Sequence, residues 1–199
     1  MYETRTRTMD RKMKRLSLLA VLGFVALGSL SCTNELSNDA APVALVLSTT
    51  QNLSQIDLQA GAAGCGVAVG TISMQVVPKK ATSTGILTAV RVNRYRVSYR
   101  RVDGGTMVPP SFVRSIDTLI EQGNSQGLSS LVVIEPDALS QAPFAALLPQ
   151  NGGRDPETGR GFVKLEVIIE VFGETLGGDN VSDTTAFQID FCFNCGGCH

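Results

Sequence analysis

The sequence contains no tryptophan and only one histidine, the terminal His199. Histidine is the side chain that enzymes use most often as a general acid or base. The sequence also lacks the nucleophile-elbow pattern G-x-S-x-G, a phosphate-binding P-loop, the dinucleotide-binding glycine pattern and the H-E-x-x-H zinc pattern. We therefore expect a protein without catalytic activity.

Charged residues are scarce, at 18% of the chain, and unevenly distributed. Residues 1–32 hold six of the 17 basic residues and two of the 18 acidic ones, so the rest of the chain has a net charge of −5. This mildly acidic body argues against a nucleic-acid-binding surface. A hydrophobic content of 43% is typical of globular chains, and 20 glycines with 8 prolines favour a turn-rich β protein.

The N-terminal segment has the pattern of an export signal. Basic residues between positions 11 and 15 precede an uncharged, mostly apolar run over residues 16–32. A basic segment, a short apolar segment and small residues before a cleavage point are typical of a secretory signal peptide. The run is short for a transmembrane helix, which needs ~20 apolar residues. We expect residues 1–31 to be removed on export, into a compartment where disulfides persist.

The end of that run, GSLSC at residues 28–32, resembles the lipobox of bacterial lipoproteins, with Ser29 in place of the commonest leucine. In that family the cysteine thiol receives diacylglycerol, the signal peptide is cut before it, and the new amino group is acylated. The resemblance implies that Cys32 is lipidated, and Thr33 in place of aspartate implies the outer membrane. The alternative is an ordinary signal peptide in which Cys32 has no role. The expected partners are the membrane, through the lipid, and an envelope protein or glycan.

The chain from Cys32 onward divides into three segments. Residues 32–42 are polar and suit a flexible tether. Residues 43–194 show apolar alternation between turn signals, whereas residues 195–199 form a cysteine-rich tail. Six to eight short strands joined by glycine and proline turns predict an antiparallel β-sandwich of the immunoglobulin or fibronectin type III kind. This is an all-β fold that follows a signal helix.

The alternation places individual strands. The predicted strands are residues 43–48, 67–77, 89–102, 131–134, 162–172 and 185–193. In the last two, the inward residues are predicted to be Val163, Leu165, Val167, Ile169, Val171, Phe187, Ile189, Phe191 and Phe193, with Cys192 on the opposite face. Residues 137–148 predict one helical turn, capped by Asp137 and interrupted by Pro143.

Two family resemblances support this fold. NRYRVSYRRVDGG, residues 93–105, resembles the third strand of a fibronectin type III domain, although the tryptophan usual in that family is absent. The segments CGVAVGTISMQVVPK, YRVSYRRVDGG…VPP and EVIIEVFGETLGGDNVS…FQIDF resemble a group of uncharacterised bacterial exported lipoproteins. That resemblance implies a single immunoglobulin-like domain on the cell envelope and carries no specific activity.

The charged clusters have structural explanations. The arginines of the strand over 89–102 would form a ligand-binding stripe only if they shared one face, and alternation divides them between two: Arg91, Arg94, Arg96, Arg100 and Arg101. We favour cross-strand pairing of the outward ones with Glu166 and Glu170. The pairs Asp155/Glu157 and Asp179/Asp183 lie in glycine-rich turns, where calcium binding is the less favoured alternative to solvated carboxylates.

Four cysteines remain after lipidation: Cys65, Cys192, Cys195 and Cys198. An even number in an exported chain predicts disulfides. A pairing of Cys65 with Cys192 or Cys195 would join an early strand to the last one, and a pairing of Cys195 with Cys198 would close a small ring. All three ways of pairing the four cysteines stay open.

Two other interpretations of the tail compete with disulfides. The pattern C-x-x-C-H at residues 195–199 is that of covalent haem c, with thioethers at Cys195 and Cys198 and His199 as axial ligand. Met74, Met107 or a non-protein group would supply the second ligand, and the protein would be a small outer-membrane electron carrier. Alternatively, the four cysteines and His199 would bind zinc. We favour disulfides over haem because no helix follows the motif to cover a porphyrin.

Overall fold

The computed structural model describes residues 40–49, 54–59, 72–129 and 131–196, and its regular structure is almost entirely β. The strands are β1 (Val43–Thr49), β2 (Gln55–Asp57), β3 (Ile72–Pro78), β4 (Val90–Arg101), β5 (Phe112–Ile120), β6 (Ser125–Leu128), β7 (Phe162–Thr175) and β8 (Asn180–Cys192). Short 3₁₀ turns occur at Ile86–Thr88, Pro136–Ser140, Phe144–Leu147 and Pro149–Asn151. The predicted all-β class is confirmed.

The strands form two sheets. One has the order β1-β3-β6 and is antiparallel. The other has the order β2-β8-β7-β4-β5, with β2 parallel to β8 and every other pair antiparallel. The series β8-β7-β4-β5 follows the G-F-C-C′ order of immunoglobulin-like sheets. The predicted immunoglobulin-like β-sandwich is therefore confirmed.

Alternation along β7 and β8 builds the centre of the core. The inward residues of β7 are all fully buried: Val163, Leu165, Val167, Ile169 and Val171. In β8, Phe187, Ile189 and Phe191 are buried, whereas Phe193 beyond the strand is only half-buried. Each such side chain stabilises the fold by about 1.5–3 kcal/mol on burial. The face assignments predicted for these two strands are confirmed within them.

β7 extends to Thr175, past the end predicted at Phe172. The reason is Gly173, whose neighbours leave no room for a side chain: a Cβ there would lie 2.8 Å from Val90 Cγ1 and 3.0 Å from the Arg91 carbonyl oxygen. The register of β4 shifts beside it, between Val92 and Arg94. A glycine within a strand here marks a close approach of backbones at a bulge and not the start of a turn.

The apolar run 131–134 was predicted as a strand, and that prediction is wrong. Leu131, Val133 and Ile134 are buried from the long connection between β6 and β7. The hydroxyl groups of Tyr95 and Tyr99 on β4 donate to the carbonyls of residues 132 and 133 at 3.3 and 2.8 Å. A short apolar run predicts burial but does not by itself distinguish a strand from a packed loop.

The helical turn predicted over 137–148 is two 3₁₀ turns, separated by a cis peptide bond before Pro143. Asp137 does not cap the first turn, because Glu135 occupies the N-cap position and no side chain there bonds to the backbone. Phe144 in the second turn packs on Phe191, with 4.3 Å between ring centroids. This long connection thus contributes directly to the core.

Three strands, β2, β5 and β6, were not predicted, and part of the prediction for 67–77 lies outside the described residues, since β3 is described from Ile72. β5 is hidden in the sequence because polar residues occur on both faces. Arg114 and Thr118 share the half-buried face with Ile116. An edge strand that is only partly covered shows weak alternation.

The turns of the sandwich gather at two ends. The proximal end contains residues 40–42, which lead into β1, and the turns 79–89, 121–124 and 176–179. Lys79 N donates to Pro42 O at 3.0 Å, Gly123 N to Val76 O at 2.9 Å and Gly177 N to Leu87 O at 3.0 Å, so these segments adjoin. The distal end contains the turns 102–111, 154–161 and 193–196. Of the sequence-predicted sites within the described residues, Cys192, Cys195, Asp155 and Glu157 lie at the distal end.

Candidate functional site

The cysteine turn, residues 192–196, follows the last strand and is closed by a disulfide between Cys192 and Cys195. β8 ends at Cys192, and Asn194 adopts a left-handed conformation with φ of 54°. This reversal brings the two cysteine Cα atoms to 6.0 Å, within the range that a disulfide spans. Of the three ways of pairing the four cysteines that the sequence leaves open, only one contains this Cys192–Cys195 bond.

A buried aspartate on β2 holds the cysteine turn. Asp57 accepts hydrogen bonds from the backbone N–H groups of Asn194 at 2.9 Å and of Cys195 at 3.0 Å. The side-chain amide of Gln55 donates to the Cys195 carbonyl at 3.1 Å. The parallel pairing of β2 with β8 places both groups beside the turn. Asp57 and Gln55 were missed in the sequence because a three-residue strand carries no periodic signal.

The other predicted cysteine and histidine sites, Cys32, Cys65, Cys198 and His199, lie outside the described residues. Cys195, one of the two cysteines that haem attachment would use, has its sulfur bonded to Cys192. A thioether at Cys195 would require that disulfide to be reduced first. Met74, one candidate second ligand, is fully buried in the core, whereas Met107 is exposed at the distal end.

A buried arginine cluster stands beside the cysteine turn at the distal end. The Arg101 side chain is 1% exposed, and its guanidinium is surrounded by acceptors. Nε and Nη2 donate to the two oxygens of Asp103 at 2.7 and 2.9 Å. Nη2 also donates to Asp155 at 2.8 Å, Nη1 to the Met107 carbonyl at 3.3 Å, and Glu157 lies 3.5 Å from Nη1.

The cluster remains charged because its hydrogen bonds outweigh burial. Burial alone raises the pKa of Asp103, but the hydrogen bond from Arg101 and those from the amides of Lys164 and Gly105 lower it to about 2. The same opposition between burial and the hydrogen bonds from Arg101 and Thr158 leaves the pKa of Asp155 lowered. The pKa of Arg101 is raised, because its two aspartates overcome the burial that would lower it. Breaking such a cluster leaves uncompensated buried charge.

Gly105 and Glu157 complete the packing around Arg101. A Cβ at Gly105 would lie 2.5 Å from Arg101 Cζ, so the guanidinium occupies the space that any other side chain would fill. Glu157 accepts hydrogen bonds from the amides of Thr106 and Met107, both at 2.8 Å. The carboxylates of the 154–161 turn were expected to be solvated, with calcium binding as the less favoured alternative, and for Asp155 that expectation is wrong because it is buried against Arg101. Glu157 binds the neighbouring backbone. Asp155 Oδ1 has no hydrogen-bond partner in the described part of the chain.

The second pair of turn carboxylates does not converge on one site. Asp183 accepts a hydrogen bond from the Leu47 amide at 2.7 Å and so links β8 to β1. Asp179 lies in the β7–β8 turn, where its amide donates to the Thr175 hydroxyl at 3.0 Å. Within residues 40–49, 54–59, 72–129 and 131–196, no group of three or more His, Cys, Asp or Glu side chains is arranged to bind a metal.

The outer face of the five-stranded sheet carries the predicted arginine–glutamate pairs. Arg96 pairs with Glu170, and Arg100 pairs with Glu166 at 2.5 Å, both between β4 and β7. Arg94 lies over the Phe172 ring at 4.9 Å from its centroid. The cross-strand pairing predicted for the outward arginines is confirmed for Arg96 and Arg100, whereas Arg94 contacts Phe172 instead. Arg101 points to the other face, as alternation requires, but its buried partners were not predicted.

These observations define the class of protein by its fold: a two-sheet β-sandwich with a disulfide-closed C-terminal turn. Comparisons with protein-family models, curated proteins and solved structures found no match to the chain. Among the described segments, no helix has the length and apolar character that crossing a membrane requires.

Proposed function

We propose that the protein is a lipid-anchored component of the bacterial cell envelope whose β-sandwich serves binding, adhesion or assembly. The observation that carries the proposal is the lipobox-like segment 28–32, which ends in Cys32 after a basic and then an apolar stretch. Two or three acyl chains at Cys32 would hold the domain stably on a membrane, since each buried CH₂ contributes about 0.8 kcal/mol.

The outer face of β4 and β7 is the surface that we propose for binding. It combines the exposed arginines Arg94 and Arg96 with the aromatic ring of Phe172. On the adjoining edge strand β5, Val113 is more than half exposed. Arginine and aromatic residues are enriched at protein interfaces. An envelope protein or a glycan presented to this face would find both polar and apolar contacts.

Lipidation is tested by metabolic labelling with a palmitate analogue in a bacterial host. The wild-type chain should be labelled and should partition into detergent, and Cys32→Ser should lose the label. Cys195→Ser is the matched control, because it also replaces one cysteine with serine but should leave the label intact. A Cys32→Ser protein that retains the label and the detergent partitioning would refute the anchor.

Binding is tested by a photo-crosslinking amino acid at Arg94 in intact cells, with the same probe at Gln126 as control. Both positions are exposed, but Gln126 lies on β6 in the other sheet. We expect a discrete crosslinked partner from position 94 alone. Equal crosslinking from both positions, or none from position 94, would contradict the assignment of the binding face.

A second candidate function, electron transfer by covalent haem, rests on the C-x-x-C-H pattern at residues 195–199. It is tested by the absorption spectrum of protein expressed with a haem-attachment system. A Soret band that survives denaturation would support it and would mean that the Cys192–Cys195 disulfide does not persist in that protein. A colourless protein whose mass matches disulfide-bonded apoprotein would refute it.

Zinc in the same preparation, measured by elemental analysis, tests the metal-binding alternative.

A further inference from the structure

The proximal end presents apolar side chains to solvent on a rigid turn. Ile86 and Leu87 are 78% and 63% exposed. The turn that carries them is fixed, since Thr88 N donates to Gly85 O at 3.1 Å and Ala89 N to Ile86 O at 3.1 Å. Gly177 N donates to Leu87 O at 3.0 Å, which joins this turn to the β7–β8 turn. The two side chains are exposed because the backbone is held and not because the loop is loose.

Neighbouring turns extend this apolar surface. Leu119 and Leu176, both about half exposed, line with Ile86 a groove of about 460 Å³. Exposed apolar residues that gather at one place on a surface generally mark a contact site. We call Ile86, Leu87, Leu119 and Leu176 the proximal apolar patch.

The chain reaches the domain at the same end. Lys79 N donates to Pro42 O at 3.0 Å, which places the segment leading into β1 beside the start of the 79–89 turn. Seven residues, 33–39, lie between Cys32 and Ala40. The eight Cα–Cα steps from Cys32 to Ala40 span at most about 28 Å when fully extended. A lipid at Cys32 would therefore keep the proximal end close to the bilayer surface.

The distal end is too far away to share that position. β7 alone has 14 residues and is about 45 Å long at ~3.3 Å per residue. The tether therefore brings the proximal end, and not the distal end, to the membrane. Charge plays little part, because the proximal turns and the strand ends beside them carry charges of both signs: Lys79, Lys80, Glu121, Glu174 and Asp179.

We propose that the proximal apolar patch inserts into the interface of the bilayer that anchors the protein, with Ile86 and Leu87 deepest. The inference rests on the proposed lipid anchor. It adds an orientation of the domain on the membrane. The strands of the five-stranded sheet project away from the bilayer, and the disulfide and the arginine cluster lie at the distal end, which is farther from the bilayer. The lipid contact depends on apolar surface and so needs no anionic lipid.

The absence of tryptophan from the chain makes a direct test possible. The full lipidated protein is reconstituted into phosphatidylcholine vesicles with brominated acyl chains, which quench nearby tryptophan. Leu87→Trp should lose at least half of its fluorescence relative to unbrominated vesicles, and its emission should shift to shorter wavelength. Met107→Trp, at an exposed position of the distal end, should do neither. Adding phosphatidylglycerol should change the quenching less than twofold.

The outcomes separate this inference from the anchor on which it rests. Unquenched Leu87→Trp in protein that floats with the vesicles overturns the membrane contact and leaves the anchor standing. Protein that neither floats nor is quenched overturns both. Quenching in protein whose mass shows no acyl chains supports the contact and refutes the anchor. A blue shift that grows with protein density without bromine quenching means that a second copy covers the patch, and it overturns the proposal.

Discussion

The two ends of the sandwich use opposite chemistry. At the distal end, polar groups are buried and paired: Arg101 lies among carboxylates, and Asp57 holds the disulfide-closed cysteine turn. At the proximal end, apolar groups are exposed on Ile86 and Leu87, although hydrogen bonds fix the backbone beneath them. Both ends are ordered, but among the described residues the buried charged side chains lie at the distal end.

The difference indicates which end contributes to stability and which presents a surface. Buried ion clusters are costly to break, because each partner removed leaves a charge out of water. Exposed apolar side chains contribute little to folding and are available for contact. We therefore expect substitutions at the distal end to unfold the protein more readily, and those at the proximal end to change its interactions.

The largest effect should come from Arg101→Met, which leaves Asp103 and Asp155 buried without their cation. We expect a loss of about 3–5 kcal/mol in the free energy of unfolding, measured by urea denaturation at neutral pH. Arg91→Met is the matched control, because both side chains of the Arg91–Asp117 pair are exposed. This variant should shift the urea midpoint only slightly. Equal losses in the two variants would show that burial of the cluster does not set its contribution.

A smaller effect should follow from acidification. The folded pKa of Asp103, about 2, lies below its ordinary 3.8, so the unfolded chain takes up a proton first as the pH falls. The stabilisation from Asp103 is complete above about pH 5 and is lost between about pH 4 and 2, at a cost of about 2 kcal/mol. Urea midpoints at pH 6 and pH 2.5 measure this loss. The urea midpoint of Asp103→Asn should depend less steeply on pH than that of the wild-type protein. An equally steep pH dependence would contradict the assignment of this loss to Asp103.

Opening the cysteine turn should cost slightly less. A disulfide that closes a four-residue loop stabilises a protein by somewhat under 2 kcal/mol in the chain-entropy account. Cys195→Ser should lower the free energy of unfolding by about that amount, since Cys195 is half-buried and the serine needs little new burial. The losses in the free energy of unfolding caused by Cys195→Ser and Asp57→Asn should not be additive in the double variant, because Asp57 binds the same turn. Strictly additive losses would mean that the disulfide and Asp57 stabilise the turn independently.

The smallest effect on stability should come from Ile86→Ser combined with Leu87→Ser. Both side chains are mostly exposed, so the free energy of unfolding should change by no more than about 0.5 kcal/mol. Thermal unfolding of the soluble domain in detergent-free buffer measures it. A loss of unfolding free energy as large as that of Arg101→Met would show that the proximal apolar patch is part of the core. The proposed difference between the two ends would then be wrong.

The predictable parts of the fold are those with long, one-sided alternation. In β7 the residues Val163 to Val171 alternate with charged neighbours, and the inward set was identified correctly. Where a strand is short, as in Gln55–Asp57, or polar on both faces, as in Phe112–Ile120, the pattern is lost. Apolar residues 131–134 were wrongly predicted as a strand, because only the contacts to Tyr95 and Tyr99 show that they pack from a loop.

The candidate sites divide in the same way. Alternation placed Arg96 and Arg100 on the outer face and led to their glutamate partners, because cross-strand neighbours share a face. It could not find the partners of Arg101, since Asp103 and Asp155 lie in loops, where strand alternation does not apply. Nor could it select Cys195 as the partner of Cys192, because the choice depends on the left-handed turn at Asn194.

The sequence by itself determined the all-β class, the inward faces of the long strands and the lipobox-like pattern at Cys32, because these depend on composition and on local order along the chain. Only the tertiary structure decided that the turn carboxylates hold Arg101, that Asp57 supports the cysteine turn, and that Ile86 and Leu87 stand at the end where the chain joins the domain. Each of these joins residues that are distant in sequence, and the free energy that brings them together comes from the packing of the two sheets.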